Sequence, residues 1–367
     1  MAESLQQTPL YPLELELKAR MTPFAGWEMP VQFSGITQEH QAVRQQAGMF
    51  DISHMGKFAL RGKGVLALLQ TLVPSDLSRL QSGQAQYTVF LNPQGGIIDD
   101  LIVYFQGTDR NGDERVQLIV NAATTQKDRD WVLGNVGHAI QFEDQSLSQA
   151  LLAVQGPAAV ATLQKFVQED LSVIPRFGHL EGTVLGQRSF LARTGYTGED
   201  GFEVMVAPEV AQELWRSLLA AGVTPCGLGC RDTLRLEAAM ALYGQDIDDT
   251  TTPLEAGLNW LVHLDSTPEF IGRAVLEAQK REGVARRLVG LQLEGRNIAR
   301  HDYPVLYNGE VVGKITSGTL SPTLGYPVAL AYVPVALSKV GQVVEVSIRG
   351  KTFPATVVKR PFYRSAL

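Results

Sequence analysis

The sequence predicts an α+β fold that ends in a small antiparallel β-barrel. Paired β-rich runs flank tight turns, as in YTVFLNPQGGIIDDLIVYF, and helical segments lie between such pairs without long parallel βαβ repeats. From about Leu288 the chain changes to short strands at regular spacing with Gly, Pro and Asn-Gly turns, which is typical of a barrel. We therefore expect two interleaved α+β subdomains in residues 1–265, a linker or helical region at 266–287, and a barrel domain at 288–367.

Local signals predict the individual elements. The sequence Asn92-Pro93-Gln94-Gly95-Gly96 supplies turn chemistry between two β-rich runs, so a hairpin is expected there. A second hairpin-like segment is SFLARTGYTGEDGFEVMVAP. Helical spacing, ended by Gly or Pro residues, predicts helices at 37–47, 65–73, after Asn121, at 158–168 and at 209–221. Strands are expected at 57–61 and 115–120.

Bulk composition indicates a globular enzyme rather than a nucleic-acid-binding protein. The 367 residues are 45% hydrophobic and 19% charged, with a formal net charge of -6 and a pI of about 5.6. A general nucleic-acid binder would need a basic face to meet phosphates. The densest basic cluster contains Lys280, Arg281, Arg286 and Arg287, and we interpret it as a solvated helix face.

Cysteine content and terminal composition indicate a reducing compartment. Only Cys226 and Cys230 are present, which excludes a disulfide framework. A zinc site needs about four ligands, and these thiols have no neighbouring Cys or His partners in sequence, so we expect packed thiols and no metal. The N-terminus carries no signal or transit pattern, and no run approaches the roughly 20 apolar residues that span a bilayer. We expect a cytoplasmic protein without a membrane partner.

The adjacent acids Asp99 and Asp100 are the first candidate functional residues. On a strand they point to opposite faces, so they cannot form a close pair that shares a proton. Both faces are otherwise apolar, which implies that at least one carboxylate is buried, and a buried carboxylate without a partner is costly. A ligand-facing or catalytic acid and a turn-capping acid both remain open, and spacing alone does not choose between the two residues.

Two glycine-rich segments are the remaining candidates. RTGYTGEDGFE leads into a strand on which Glu203 emerges on one face, either as part of an ordinary hairpin or beside a flat ligand that the glycines allow to approach. GLGCRDTLRLE starts a helix on which Arg231 and Arg235 share a face. An arginine in the first helical turn opposes the helix dipole. A bidentate contact with a carboxylate would explain why Arg231 occupies that position.

Several long blocks, in the same order, resemble the T-protein (aminomethyltransferase) family of the glycine cleavage system. They are MTPFAGWEMPVQF, AGMFDISHMGKF, GGIIDDLIVY, RTGYTGEDGFE, GLGCRDTLRLEAAMALYGQDID and ITSGTLSPTLGYPVALAYVP. The resemblance extends from about Thr8 to Arg364. It implies three domains around a central tetrahydrofolate pocket, with tetrahydrofolate as co-substrate. It also implies transfer of a one-carbon unit from the aminomethyl group on lipoylated H-protein.

The resemblance also assigns expected roles to individual residues. Asp100 matches the catalytic acid near N10 of folate. The positions that match the folate pocket are Met55, Tyr87, Asn121, Tyr196, Glu203 and Arg231. A carboxylate such as Glu203 can accept hydrogen bonds from the neighbouring amino group and ring N–H of a pterin, and a tyrosine can cover the flat ring. Arg364 is a weaker candidate for the folate tail.

Two alternative functions share this fold. Folate-binding assembly factors for iron–sulfur proteins resemble one another around a Lys-Gly-Cys-Tyr block, whereas this chain has Arg193-Thr194-Gly195-Tyr196 and no cysteine there. The folate domains of dimethylglycine or sarcosine oxidoreductases accompany a flavin domain, for which this chain has neither room nor a fingerprint. The sequence therefore favours a stand-alone transferase.

Overall fold

The computed structural model describes residues 4–137 and 140–365, so the outermost residues of the first and last expected domains lie outside the described residues. The helices are α1 (Tyr11–Glu16), α2 (Ile36–Gln45), α3 (Val65–Gln70), α4 (Thr125–Val136), α5 (Ala159–Leu163), α6 (Pro208–Ala220), α7 (Leu228–Glu237) and α8 (Arg273–Glu282).

The strands form one two-stranded hairpin, two larger sheets and one barrel. In chain order they are β1 (Arg20–Phe24), β2 (Trp27–Gln32), β3 (Gly48–Asp51), β4 (Gly56–Gly62), β5 (Gln84–Leu91), β6 (Ile97–Thr108), β7 (Glu114–Val120), β8 (Gln141–Asp144), β9 (Ala150–Gln155), β10 (His179–Val184), β11 (Gln187–Ala192), β12 (Gly201–Val206), β13 (Thr224–Pro225), β14 (Arg286–Leu293), β15 (Pro304–Tyr307), β16 (Glu310–Leu320), β17 (Pro327–Pro334), β18 (Val343–Ile348) and β19 (Lys351–Val358).

The first large sheet has the strand order β5-β6-β7-β4-β8, and all of its pairs are antiparallel. The β5–β6 hairpin confirms the expected turn, in which the side chain of Asn92 accepts hydrogen bonds from the amides of Gln94 and Gly96 at 3.0 and 2.9 Å. Apolar residues of α3 and α4, including Leu69 and Val132, cover one face of the sheet. The other face is left for the interior of the molecule.

The second large sheet has the strand order β10-β11-β12-β9-β3-β13. It contains the second expected hairpin, β11–β12, and its β12 strand pairs with β11 on one side and β9 on the other. Helix α6 packs its buried face, with Trp215 fully buried, into the core of this sheet. A central strand flanked on both sides is a rigid support for side chains that point away from this core.

The C-terminal strands close into a barrel with the order β14-β17-β16-β15-β18-β19, so the expected α+β fold with a C-terminal antiparallel barrel is confirmed. Its interior is packed with aliphatic side chains such as Leu291 and Ala331. Closure leaves the barrel without free edges that could pair with another chain. Among the described residues, no helix is long and apolar enough to cross a membrane.

Three of the sequence interpretations were wrong in detail. The helix predicted at 158–168 forms only the short helix α5, followed by a 3-10 turn. The helix predicted at 65–73 is also shorter than expected, because α3 ends at Gln70. The basic cluster is not one helix face, because Lys280 and Arg281 lie on α8 whereas Arg286 and Arg287 lie on β14. Gly283 has a positive φ of 88° and ends α8, which is a turn that glycine adopts without strain.

A buried network around Glu237 joins α2, α7 and the chain after β16. The Glu237 carboxylate accepts hydrogen bonds from Arg44 Nη2 at 2.9 Å, from Thr323 Oγ1 at 2.7 Å and from the hydroxyl of Ser321, and His40 Nε2 lies 3.2 Å away. Burial alone would raise the pKa of Glu237, but hydrogen bonds from His40 and the two hydroxyls lower it to about 2. The network therefore fixes the barrel against the rest of the molecule.

We expect Glu237→Ala to lower the free energy of unfolding by about 3–5 kcal/mol, because it removes one of the two carboxylates that pair with the buried Arg44 and the acceptor of the Ser321 and Thr323 hydroxyls. Denaturant titration followed by tryptophan fluorescence measures this change. Glu213→Ala, on the exposed face of α6, is the matched control and is expected to change stability by less than about 0.5 kcal/mol. Equal stability of the two variants would contradict a connecting role for Glu237.

Candidate functional site

A cavity of about 1410 Å³ lies where the two large sheets, α7 and the barrel meet. Each of these parts contributes to its wall. The cavity wall includes the expected catalytic acid and all six positions that match the folate pocket, namely Asp100, Met55, Tyr87, Asn121, Tyr196, Glu203 and Arg231. The fold thus brings together residues that are as much as 176 positions apart, from Met55 to Arg231. Their roles remain predictions.

Asp100 reaches the cavity from β6 and is held by two neighbours. Tyr87 on β5 donates its hydroxyl to Asp100 Oδ2 at 2.9 Å, and Asn121 donates its amide to Asp100 Oδ1 at 2.8 Å. Burial and the negative charge of Asp99 raise the pKa of Asp100 to about 7, although the hydrogen bonds from Tyr87 and Asn121 lower it in part. A carboxyl group with this pKa can both take up and release a proton at neutral pH.

Asp99 points to the other side of β6, as strand alternation predicts, and is fully buried. Its two oxygens accept from Asn121, at 2.9 Å from the side-chain amide and 3.1 Å from the backbone amide. Asp128 of α4 makes a side-chain hydrogen bond with Asp99. Sequence reasoning missed Asp128. Asp128 lies four residues before the apolar Val132 and so on the same helix face, which indicates that the acid is buried.

Glu203 forms another part of the wall, on the central strand β12. Thr194 Oγ1 donates to Glu203 Oε2 at 2.6 Å, and the Tyr104 hydroxyl lies 3.4 Å from the same oxygen. The side chain is only 8% exposed. Because Thr194 and Tyr104 engage only one carboxylate oxygen, the other remains available to a ligand in the cavity.

Tyr196 and Arg231 lie together on the wall. The guanidinium of Arg231 lies 4.9 Å from the centre of the Tyr196 ring, and the Tyr196 hydroxyl donates to the carbonyl of Ala241. Burial lowers the pKa of Arg231. Within the described chain, Arg231 has no carboxylate at ion-pair distance, so the bidentate contact suggested by its helix position is not made inside the protein. Arg235 instead pairs with Asp246.

The cavity wall continues past Tyr87 towards the barrel. The Tyr87 ring stacks on Trp260, with centroids 6.0 Å apart and an interplanar angle of 24°. Trp260 is 54% exposed, and the nearby Gly257 lies against the guanidinium of Arg360. Arg360 and the exposed Arg287 and Lys359 also line the cavity. Arg364, the sequence-based candidate for a tail contact, is exposed and is not among the lining residues.

His54 also lines the cavity, and the sequence did not single it out. It is 4% exposed, packs edge-on against Phe24 and has no hydrogen-bond partner for Nδ1 in the described residues. Burial, with the positive charges of Arg231 and Lys57, lowers the pKa of His54 to about 3. The imidazole is therefore neutral at physiological pH.

Outside the cavity, the ligand atoms of Glu39, Cys226 and Cys230 lie within 4.8 Å of one another. The Glu39 oxygens already accept three backbone amides, those of Phe33, Gly35 and Gly227, at 2.6–3.1 Å. Burial raises the pKa of the Cys226 thiol well above its usual range, which opposes the thiolate form that a metal requires. These contacts favour two packed thiols and a carboxylate that holds loops together.

Comparison with known proteins places this fold and cavity in one family. A model described as GCVT N-terminal domain matches residues 10–266, and one described as glycine cleavage T-protein C-terminal barrel domain matches residues 286–364. The aminomethyltransferases of Nostoc sp. (strain PCC 7120) and Synechocystis sp. (strain PCC 6803) are 70% and 63% identical to this chain. They cover 100% and 98% of it, with 97% and 96% of their own lengths aligned.

The crystal structure of glycine cleavage system aminomethyltransferase T from Bartonella henselae has a TM-score of 0.91 with this chain at 35% identity, with 99% of each chain covered. The fold and its central cavity thus define a transferase of the glycine cleavage T-protein type. The chain belongs to the aminomethyltransferase (T-protein) family of the glycine cleavage system. The expected enzyme class is confirmed, and the comparisons do not support the iron–sulfur assembly alternative.

We expect Tyr87→Phe to raise the pKa of Asp100 above its value of about 7, because the lost hydroxyl stabilises the ionised carboxylate. A hydrogen bond to a charged group is worth about 1.5–3 kcal/mol, which corresponds to about 1–2 pKa units. Carboxyl ¹³C NMR titration measures the shift, with Asp100→Asn to assign the resonance. Tyr307→Phe, on the exposed side of the barrel, is the control. An unchanged or lower pKa in Tyr87→Phe would contradict this role of the hydroxyl.

Proposed function

We propose that this enzyme transfers the methylene carbon of the aminomethyl group on lipoylated H-protein to tetrahydrofolate, with Asp100 as the catalytic acid–base group. The products are ammonia, 5,10-methylenetetrahydrofolate and dihydrolipoyl H-protein. The single observation that carries the proposal is that one cavity holds groups suited to each part of a folate. Glu203 lies near Arg231, Arg231 near Tyr196 and Tyr196 near Asp100, and Arg360 lines the same cavity with other cations.

These groups suit the successive parts of a folate. The pterin ring has an amino group beside a ring N–H, which suit the free carboxylate oxygen of Glu203. The reactive N5 and N10 atoms follow, and then the benzoyl ring, which suits the stacked pair of Tyr87 and Trp260. The folate ends in carboxylates, which suit Arg360 and the other cations that line the cavity.

Asp100 then supplies the proton transfers. Tetrahydrofolate loses one proton from N5 and one from N10 as two C–N bonds form to the methylene carbon. The C–N bond to the amino group and the C–S bond to the lipoyl sulfur break, and the two protons leave on ammonia and on the thiol. A carboxyl group with a pKa of about 7 can accept a proton from the attacking amine and return it to a leaving group.

The rest of the rate enhancement is expected from alignment of the two large substrates. The cavity of about 1410 Å³ is large enough for a folate, and holding its amine against the incoming methylene carbon would convert a bimolecular encounter into a positioned reaction. The partner protein delivers the aminomethyl group on its lipoyl arm.

The test of the proposed function mixes the purified chain with tetrahydrofolate and aminomethylated H-protein. Ammonia and methylenetetrahydrofolate are measured, each against reactions that lack one component. Product is expected only when all three components are present. The same yield without the protein, or none in the complete mixture, would contradict the proposal.

Asp100→Asn is expected to lower kcat by about 10²–10⁴-fold, because proton transfer by a positioned group typically contributes that much. Tetrahydrofolate binding, measured by calorimetry, is expected to survive, since the amide keeps the shape of the side chain. Asp170→Asn, at an exposed 3-10 turn, is the matched control for the substitution. If folate affinity fell in parallel with rate, Asp100 would be a binding residue instead.

Glu203→Gln is expected to weaken tetrahydrofolate binding by about 10–100-fold, since a charge-assisted hydrogen bond is worth about 1.5–3 kcal/mol. The same calorimetric titration measures it. Glu181→Gln, on the edge strand β10 of the same sheet, replaces an exposed acid and is expected to bind as wild type does. Unchanged affinity in Glu203→Gln would show that the pterin lies elsewhere.

A further inference from the structure

A pair of buried carboxyl groups lies directly behind Asp100. Asp99 and Asp128 are both 0% exposed and make a side-chain hydrogen bond with each other. Two facing carboxylates cannot both be ionised in such a place without a large energetic cost, so the pair holds a proton. The family assignment does not explain what this pair does.

The surrounding hydrogen bonds show which member carries the proton. Both oxygens of Asp99 already accept N–H groups of Asn121, at 2.9 and 3.1 Å, which is the pattern of an ionised acceptor. Asp128 has no N–H donor among the described residues, and only the hydroxyl of Thr124 makes a hydrogen bond with it besides Asp99. The proton therefore belongs to Asp128, which donates it to Asp99, and the pair carries a single negative charge on Asp99.

Asn121 connects this pair to Asp100. Its side-chain nitrogen donates to Asp99 Oδ1 at 2.9 Å and, on the other side, to Asp100 Oδ1 at 2.8 Å and the Asp100 carbonyl at 3.1 Å. An asparagine amide can rotate, but with its nitrogen held by both acids and its backbone amide bound to Asp99, only one orientation satisfies all three contacts. The orientation of Asp100 thus depends on Asp99 staying an acceptor.

We propose that Asp128 is a positioning residue for the transfer reaction, because its proton keeps Asp99 as the charged acceptor that orients Asn121 and, through it, Asp100. This inference rests on the proposed function only for its effect on turnover. The charge on Asp99 also acts directly, since it is one of the two causes that raise the pKa of Asp100 to about 7, the other and larger being burial.

The neighbouring groups leave this arrangement undisturbed. Lys127, next to Asp128 on α4, donates to the carbonyl of Ile98 and to the hydroxyl of Tyr243. The Thr124 hydroxyl lies 3.1 Å from the carbonyl of Asn121 and is also within hydrogen-bonding reach of Asp99 and Asp128, where it favours a charge on either acid alike. On the cavity side, the groups that face Asp100 are the hydroxyls of Tyr87 and Tyr196, whose pKa values burial raises. Neither tyrosine ionises in the working pH range.

The test compares Asp128→Leu, which removes the donor, with Asp128→Asn, which keeps a neutral donor. Without a donor, Asp99 takes up the proton itself and loses its charge, so the pKa of Asp100 is expected to fall by about one unit in Asp128→Leu and to stay near 7 in Asp128→Asn. Carboxyl ¹³C NMR of the full chain gives the pKa directly, and the pH profile of kcat gives it through activity. Asp130→Asn, on the exposed side of α4, is the control.

Asp99→Asn tests the location of the charge and remains informative if Asp128→Leu does not fold. It is expected to lower the pKa of Asp100, whereas an Asp99 that already carried the proton would leave this pKa unchanged. The inference is overturned if Asp99→Asn has no effect, or if Asp128→Asn shifts the pKa as far as Asp128→Leu. The NMR result stands whether or not Asp100 is catalytic, so failure of the proposed function would appear separately, as full activity in Asp100→Asn.

Discussion

The alternation of side chains along β6 is the constraint on which the site depends. Asp99 and Asp100 are adjacent, so the strand sends one carboxylate into the interior between sheet and helix and the other into the cavity. Pairing with β5 and β7 on both sides fixes the register, since Asp100 lies opposite Val89 and Leu101 lies opposite Val120. A shift of one residue would exchange the two acids and remove the cavity-facing carboxylate.

The polar groups of the cavity are held by partners from different parts of the fold. Tyr87 and Asn121 hold Asp100, whereas Thr194 holds Glu203 from the loop that precedes β12. These contacts keep the side chains oriented before any ligand arrives, which limits the reorganisation needed on binding. The Glu237 network is necessary for the same reason, because it fixes the barrel that completes the wall.

Local sequence rules predicted the elements that carry the site, but they did not predict the partners of each side chain. The two hairpins followed from turn chemistry, and the opposite faces of Asp99 and Asp100 followed from strand periodicity. The choice of Asp100 required the family resemblance, since both faces of β6 are equally apolar in sequence. Asp128 was missed because its partner lies on another element, and a helical pattern does not show what a buried acid meets.

The C-terminal segment shows the same limit. Arg364 was chosen because it lies near the end of the matched blocks, yet Arg360, four positions earlier, is the residue that lines the cavity. The path of the chain after β19 places Arg360 on the cavity wall and leaves Arg364 exposed. Likewise, the boundary between α8 and β14 divides a basic run that looks continuous in sequence. The choice between the two arginines and the end of α8 depend on tertiary contacts, which local sequence patterns do not predict.

The neighbours Tyr87, Tyr196 and His54 do not exchange protons near neutral pH, because burial shifts their pKa values away from neutrality. Burial raises the pKa of Tyr87 and of Tyr196 far above neutrality. Burial and nearby positive charge lower the pKa of His54 to about 3, so this imidazole stays neutral. Among these four groups, Asp100 is the one whose pKa lies near neutrality, because burial and the charge of Asp99 raise it to about 7. The same low-polarity surroundings that make a buried carboxylate costly thus leave a single group able to move protons at the reacting atoms.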